Sequence, residues 1–145
     1  MNYIVNYKED SEYRSYINNK LKSFNDVFSP YHVKSRKEGY FSYFDIRLEE
    51  ELKGGLVGMI YWNLMEIEDF YISQSHRSKG YGKELLLKAI DIAHEKRLNY
   101  ILLRTYSFQA KDFFYKYGFR VIGEITDYPP GDSFYIMKLI LNYTK

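Results

Sequence analysis

The chain has 145 residues, 46% of them hydrophobic and 28% charged, with a net charge of +2 and no cysteine. These values fit one soluble domain, residues 1–145, and exclude disulfides, thiolate catalysis and cysteine–zinc sites. The charge is too weak to argue for a nucleic-acid partner, and no apolar run approaches the roughly 18 residues that span a membrane.

The first ten residues hold no apolar core of the kind a secretory leader needs, so a cytoplasmic protein is expected. Aromatic residues are abundant, with 17 Tyr and 10 Phe. They reflect either an aromatic pocket or the codon bias that also enriches Lys, Asn and Ile.

Residues 2–7 read as a first strand. Residues 9–28 carry Tyr13, Tyr16, Ile17, Leu21, Phe24 and Phe28 at spacings of three and four, which predicts one or two amphipathic helices. Pro30 should end them, because proline supplies no helix N–H. Lys34, Arg36 and Lys37 precede Glu38 and read as a solvated loop or helix end. Residues 42–49 alternate apolar and polar, the period of a half-buried strand. Lys53-Gly54-Gly55 reads as a turn, followed by strands at 56–64 and 66–72.

After Gly82 the period lengthens. Leu85, Leu86, Ala89, Ile90 and Ala93 share one helical face. Residues 100–106 form an apolar strand, so the pair of strands around this helix should be parallel. Ser107 is placed to cap a helix at 108–117, which Gly118 would end in a left-handed conformation. Strands at 120–126 and 134–141 close the chain, joined by a loop at 127–132. The order β-αα-βββ-α-β-α-ββ is that of a mixed α/β (α+β) sheet.

The chemistry concentrates in Ser75-His-Arg-Ser-Lys-Gly-Tyr-Gly-Lys-Glu-Leu-Leu, between a strand and a helix start. A helix start offers free N–H groups and a partial positive charge, and glycines let an anion approach them. Arg77 and Lys83 add charge, so a diphosphate is the expected guest. A Walker loop is excluded because Glu84 follows Gly82-Lys83, and a dinucleotide fingerprint because Leu85 stands where its third glycine belongs. His32, His76 and His94 are too scattered for a metal site, and no metal is expected.

Arg77-x-x-Gly80-x-Gly82 resembles the Arg/Gln-x-x-Gly-x-Gly/Ala signature of the GNAT superfamily of acetyl-CoA-dependent N-acetyltransferases. The stretch 110–119, Ala-Lys-Asp-Phe-Phe-Tyr-Lys-Tyr-Gly-Phe, is similar to that family's late helix, and the element order fits its fold over nearly the whole chain. The resemblance implies a central parallel strand pair that splays apart to admit acetyl-CoA. The backbone of Phe70, Tyr71 and Ile72 would then orient the thioester. The N–H groups of Ser78, Lys79, Gly80, Tyr81, Gly82 and Lys83 would hold the pyrophosphate beside Arg77. Ser107 would either touch pantetheine or cap the next helix. Members of this family often dimerise, but no stretch of this sequence marks an interface.

The implied reaction is acetyl transfer to a primary amine of a small molecule by direct attack in a ternary complex. The amine must lose a proton, which calls for a general base. Period two places Glu66 and Glu68 on one face with Phe70 and Ile72, and Asp69 on the other. Glu66 stands where family members that acetylate lysine keep a glutamate. Glu68 is nearer Ile72, about 13 Å against about 20 Å along a strand, and is preferred. Either could instead be an exposed carboxylate that balances charge.

Two family positions depart. Phe114 replaces a tyrosine that often protonates the leaving thiolate, and Phe108 replaces an asparagine. Tyr115 cannot substitute, since one helical residue turns a side chain by about 100°. A protein or peptide acceptor and a non-catalytic acyl-CoA-binding module stay open as alternatives. For acceptor recognition the sequence offers Phe24, Phe28, Tyr31 and His32 as one wall, unless Phe24 and Phe28 are core, and Asp127 and Asp132 as cation-attracting groups.

Overall fold

A computed structural model describes residues 1–37, 40–49 and 53–143. By their internal contacts, residues 1–40 and 41–145 form two compact units.

In the first unit, helix α1 spans Ser11–Phe28 and helix α2 spans Pro30–Lys34. The Asp10 carboxylate caps α1 by accepting from the Tyr13 N–H at 2.9 Å. Ser29 ends α1 and caps α2, accepting from the His32 N–H. Pro30 therefore opens a helix rather than stopping one. At the first helical position its missing N–H costs nothing, and its fixed φ suits the turn. Residues 1–7 form no strand, contrary to expectation. Apolar alternation makes a strand only where a neighbour supplies the hydrogen-bond ladder, and this stretch has none. Arg36 forms a two-pronged ion pair with Asp26, which holds that carboxyl below the usual carboxylate range. Glu38 lies outside the described residues. Phe24 and Phe28 pack on each other with ring centroids 4.9 Å apart, and no residue of α1 is buried.

In the second unit the elements are β1 Ser42–Arg47, β2 Gly54–Tyr61, β3 Leu64–Ile72, α3 Tyr81–Glu95, β4 Tyr100–Tyr106, α4 Lys111–Lys116, β5 Arg120–Thr126 and β6 Ser133–Ile140. The strands form one sheet in the order β1-β2-β3-β4-β6-β5. The β3–β4 pair is parallel and the other neighbours are antiparallel. Gly54 and Gly55 belong to β2 rather than to the turn. A Cβ at Gly54 would meet the Tyr71 carbonyl oxygen at 2.2 Å, and at Gly55 the Ile46 carbonyl oxygen at 2.7 Å. Close strand approach requires glycine at both positions, and at Gly54 so does its φ of +144°.

The apolar face of α3 (Leu85, Leu86, Ala89, Ala93) is buried with Met65 and Ile67 of β3, Ile101 and Leu103 of β4, and Met137 of β6. Each buried Leu, Ile or Met here contributes about 1.5–3 kcal/mol, so the crossover helix locks the parallel pair into the core. The helix ends with Arg97 in a left-handed conformation (φ 53°) and the Leu98 N–H bonded to the Ala93 carbonyl, a Schellman-type end made without glycine.

Candidate active site

The parallel ladder is short. It joins Leu64, Met65, Glu66 and Ile67 to Tyr100, Ile101, Leu102 and Leu103, and stops there. Both strands run on, but apart. β3 continues to Ile72 on β2, and β4 continues to Tyr106 on β6. Beyond Ile67 the edge of β3 that faces β4 has backbone groups with no strand partner, which makes it a template for an extended chain. The gap is a cleft of about 960 Å³, lined by Glu68, Asp69, Phe70, Tyr71 and Ile72 from β3 and by Leu103, Arg104 and Thr105 from β4.

One mouth of the cleft is the start of α3. Arg77, Ser78, Gly80, Gly82 and Lys83 line it. No side chain caps α3, so its first-turn N–H groups stay open to an anion. The two glycines serve different ends. Gly80 has φ +89°, a left-handed conformation, and a Cβ there would meet nothing within 4 Å. Gly82 lies against the Phe113 ring, 3.4 Å from where its Cβ would stand. Arg77 donates from Nε to the Ile72 carbonyl at 2.9 Å, and its guanidinium sits over the Tyr71 ring. It ties the loop to the end of β3. Lys79, in the loop, and Tyr81, the first residue of α3, do not border the cleft.

A β-bulge changes the reading of β3. Gly58 pairs with Ile67 and Val57 with Asp69, so Glu68 is an extra residue without a partner on β2. Period two breaks there. Ile67, Phe70 and Ile72 share the core face with Leu56, while Glu66, Asp69 and Tyr71 share the opposite face. The expected grouping of Glu66 and Glu68 with Phe70 and Ile72 is corrected on this point. Glu68 is exposed and borders the cleft.

Glu66 is placed differently. Its side chain is only 14% exposed and forms an ion pair with Arg104. It also accepts from the Tyr61 hydroxyl at 2.7 Å. Burial, and then the bond to Glu66, push the Tyr61 phenol up to about 12, so Tyr61 acts as a donor. The trio ties β2, β3 and β4 together at the point where the parallel ladder ends. The sequence reading missed Tyr61 and Arg104. A lone arginine inside the apolar run 100–106 was the available signal.

The far wall is aromatic. Phe70 meets Phe113 and Phe114 at centroid distances of 5.9 and 5.5 Å. Phe114 is buried and packs on Phe119, so its place on the wall is a ring without a hydroxyl. Helix α4 begins at Lys111 with Ala110 at its cap position and no side-chain cap. Ser107 is therefore not the cap. Its hydroxyl donates to Asp132 at 2.9 Å and accepts from the Ser133 N–H at 3.0 Å, pinning the 127–132 loop to the end of β4. Gln109 is exposed at the cleft, and its side chain accepts from the Tyr106 N–H at 2.8 Å. Among the described residues no cluster of three metal-ligating side chains occurs, and no helix is long and apolar enough to cross a membrane.

Comparison with known proteins agrees with this fold. The chain is 33% identical to the blasticidin-S acetyltransferase of Streptomyces morookaense over 89 residues, 60% of this chain and 65% of that protein. The match thus spans just under two thirds of the relative's length. An acetyltransferase from Bacillus cereus ATCC 14579 superposes with a TM-score of 0.80 at 30% identity, covering 97% of this chain and 98% of that one. A protein of Bacillus anthracis str. Ames, solved in complex with acetyl coenzyme A, superposes with a TM-score of 0.60 at 22% identity over 81% of this chain and 72% of that one. The sequence profile of the acetyltransferase (GNAT) family matches residues 6–119, and the chain belongs to that family.

Proposed function

We propose that this chain transfers the acetyl group of acetyl-CoA to a primary amine of a small molecule, by direct attack in a ternary complex. The observation that carries the reading is the cleft opened where the β3–β4 ladder stops, with an uncapped helix start at one mouth and carboxylates at its rim. The α3 N–H groups and Lys83 suit a diphosphate. The unpaired edge of β3 suits the amide-bearing pantetheine arm, and an N–H near Ile72 suits the thioester carbonyl as an oxyanion donor. A fold neighbour binds acetyl coenzyme A, which supports the donor. The likeness to a blasticidin-S acetyltransferase supports a small-molecule acceptor over a peptide.

Glu68 is the better base. It is exposed at the cleft, whereas both sides of the Glu66 carboxylate are engaged by Tyr61 and Arg104. In the reaction the amine nitrogen bonds to the acetyl carbon, the C–S bond breaks, and the amine proton passes to Glu68 directly or through water. The sulfur leaves as thiolate, since Phe114 has no proton to give. Thiols ionise near pH 8.5, far more readily than an amine gives up a proton from its neutral form, so departure as thiolate is feasible.

The test is calorimetric titration with acetyl-CoA, with ATP as control, followed by a thiol-release assay on a panel of amines. Binding of acetyl-CoA but not ATP, with amine-dependent thiol release, is expected. Folded protein that ignores acetyl-CoA would overturn the reading. Binding without thiol release on any amine or peptide would make the chain an acyl-CoA-binding module.

A further inference from the structure

A second aromatic group stands outside the core. Tyr106 ends β4, and Phe108 lies parallel to it, with centroids 5.3 Å apart and planes 7° apart. Tyr128, in the 127–132 loop, is also nearly parallel to Tyr106, at 6.4 Å and 11°. Phe134 braces Tyr106 and Tyr128 edge-on, at 5.1 and 5.4 Å. None of the four rings belongs to the buried cluster under α3. Phe108 is 63% exposed and Tyr128 50% exposed.

The group is held in place. Tyr128 donates its N–H to the Asp132 carbonyl, Asp132 to the Pro129 carbonyl, and Gly131 to the Asp127 carboxylate. Ser107 fastens the loop to β4 through Asp132. Phe108 and Tyr128 thus offer aromatic surface to water at this sheet end, Tyr128 from a pinned loop. Two further facts name an occupant. Phe108 borders the cleft, so the ring platform is continuous with the site of transfer. Register also puts Tyr106 on the same sheet face as Asp69 and as Arg104, whose charge is paired with Glu66, and the loop that carries Tyr128 also carries the carboxylates Asp127 and Asp132, which suit a cationic acceptor.

We infer that Phe108, Tyr106 and Tyr128 form a stacking platform for a flat aromatic or heteroaromatic ring carried by a cationic amine acceptor. The inference rests on the acetyl-transfer reading and narrows its acceptor class. Ring stacking supplies affinity through the π-face, and the carboxylates supply the charge match. An aliphatic amine gains only the second.

The experiment compares tryptamine, histamine and benzylamine with hexylamine and 1,4-diaminobutane, by calorimetry on CoA-saturated protein. At least one ring-bearing amine should bind at least about fivefold more tightly than either aliphatic amine, the low end of what one stacked ring supplies. Phe108→Ala should erase that difference and Phe108→Trp should keep it. Tyr128→Ala should reduce it while acetyl-CoA affinity stays unchanged. Equal binding of ring-bearing and aliphatic amines, no binding of any, or a ratio untouched by Phe108→Ala would overturn the platform. Failure of acetyl-CoA to bind would instead sink the acetyl-transfer reading, so the two failures are distinguishable.

Discussion

The two halves of β3 are built to opposite rules. Residues 64–67 are laddered on both edges and carry the buried Leu64, Met65 and Ile67. Residues 69–72 keep their ladder to β2 only, and Glu68, Asp69 and Tyr71 are exposed. The seam between the halves is marked by three features within three residues: the last parallel pair at Ile67, the bulge at Glu68, and the Tyr61–Glu66–Arg104 trio. The closed half anchors the strand, and the open half presents backbone and carboxylates to a cleft. A strand unpaired along its whole edge could not hold that cleft open with fixed geometry.

The largest effect should come from filling the cradle on the open side. Gly82→Trp places an indole against Phe113 and Phe70 at the start of α3. Acetyl-CoA affinity should fall by more than about a hundredfold, since the open N–H groups would be covered. Calorimetry beside a thermal melt measures it, and unchanged affinity would remove the loop from the site. On the closed side, Met65→Ala should cost about 2–5 kcal/mol of stability, because its side chain is fully buried and leaves a cavity. Protein still folded at low temperature should keep its acetyl-CoA affinity. If binding falls as far as stability, the two halves are not separable.

Glu68→Gln tests what the bulge presents. Turnover should fall by about a hundredfold, the lower range for a lost general base, with acetyl-CoA affinity intact. If Glu66→Gln gives the larger loss of turnover at equal stability, the roles of the two carboxylates are reversed. Arg104→Met tests the seam. It leaves Glu66 half-buried without its cation and should cost about 1–2 kcal/mol, discounted because Arg104 is half exposed. Adding Glu66→Gln should recover most of that loss. Strict additivity in this cycle would show that the pair does not hold the seam.

Much of this was legible in the sequence because periodicity and punctuation are local. The bounds of β4 and β5 match the expected 100–106 and 120–126, and the α3 face appears as read. Three things were hidden because they depend on partners. Residues 2–7 alternate like a strand but have no ladder. Glu68 looks like any alternating residue until the β2 register shows it to be extra, and that single insertion moves Asp69 to the face of Glu66. The ring platform joins Tyr106, Phe108, Tyr128 and Phe134 across a loop, so no spacing rule reveals it. The abundance of Tyr and Phe is visible in the composition, but composition does not say where rings meet.

The smallest effect is expected at the family's missing tyrosine. Phe114 is 4% exposed and closes the cleft wall against Phe70, Phe113 and Phe119. Phe114→Tyr adds a hydroxyl at the edge of an otherwise apolar cluster. If the hydroxyl reaches the cleft it can protonate the departing sulfur; if it stays among rings it costs about 1–3 kcal/mol unpaired. A thiolate is a good leaving group near neutral pH, whereas an ammonium acceptor must lose a proton before it attacks, so deprotonation is the harder step. Turnover should therefore change by less than about threefold, while Glu68 variants change it far more. A tenfold rise in turnover would show that protonation of the leaving group limits the native protein, and would move the decisive chemistry from the β3 side of the cleft to the α4 side.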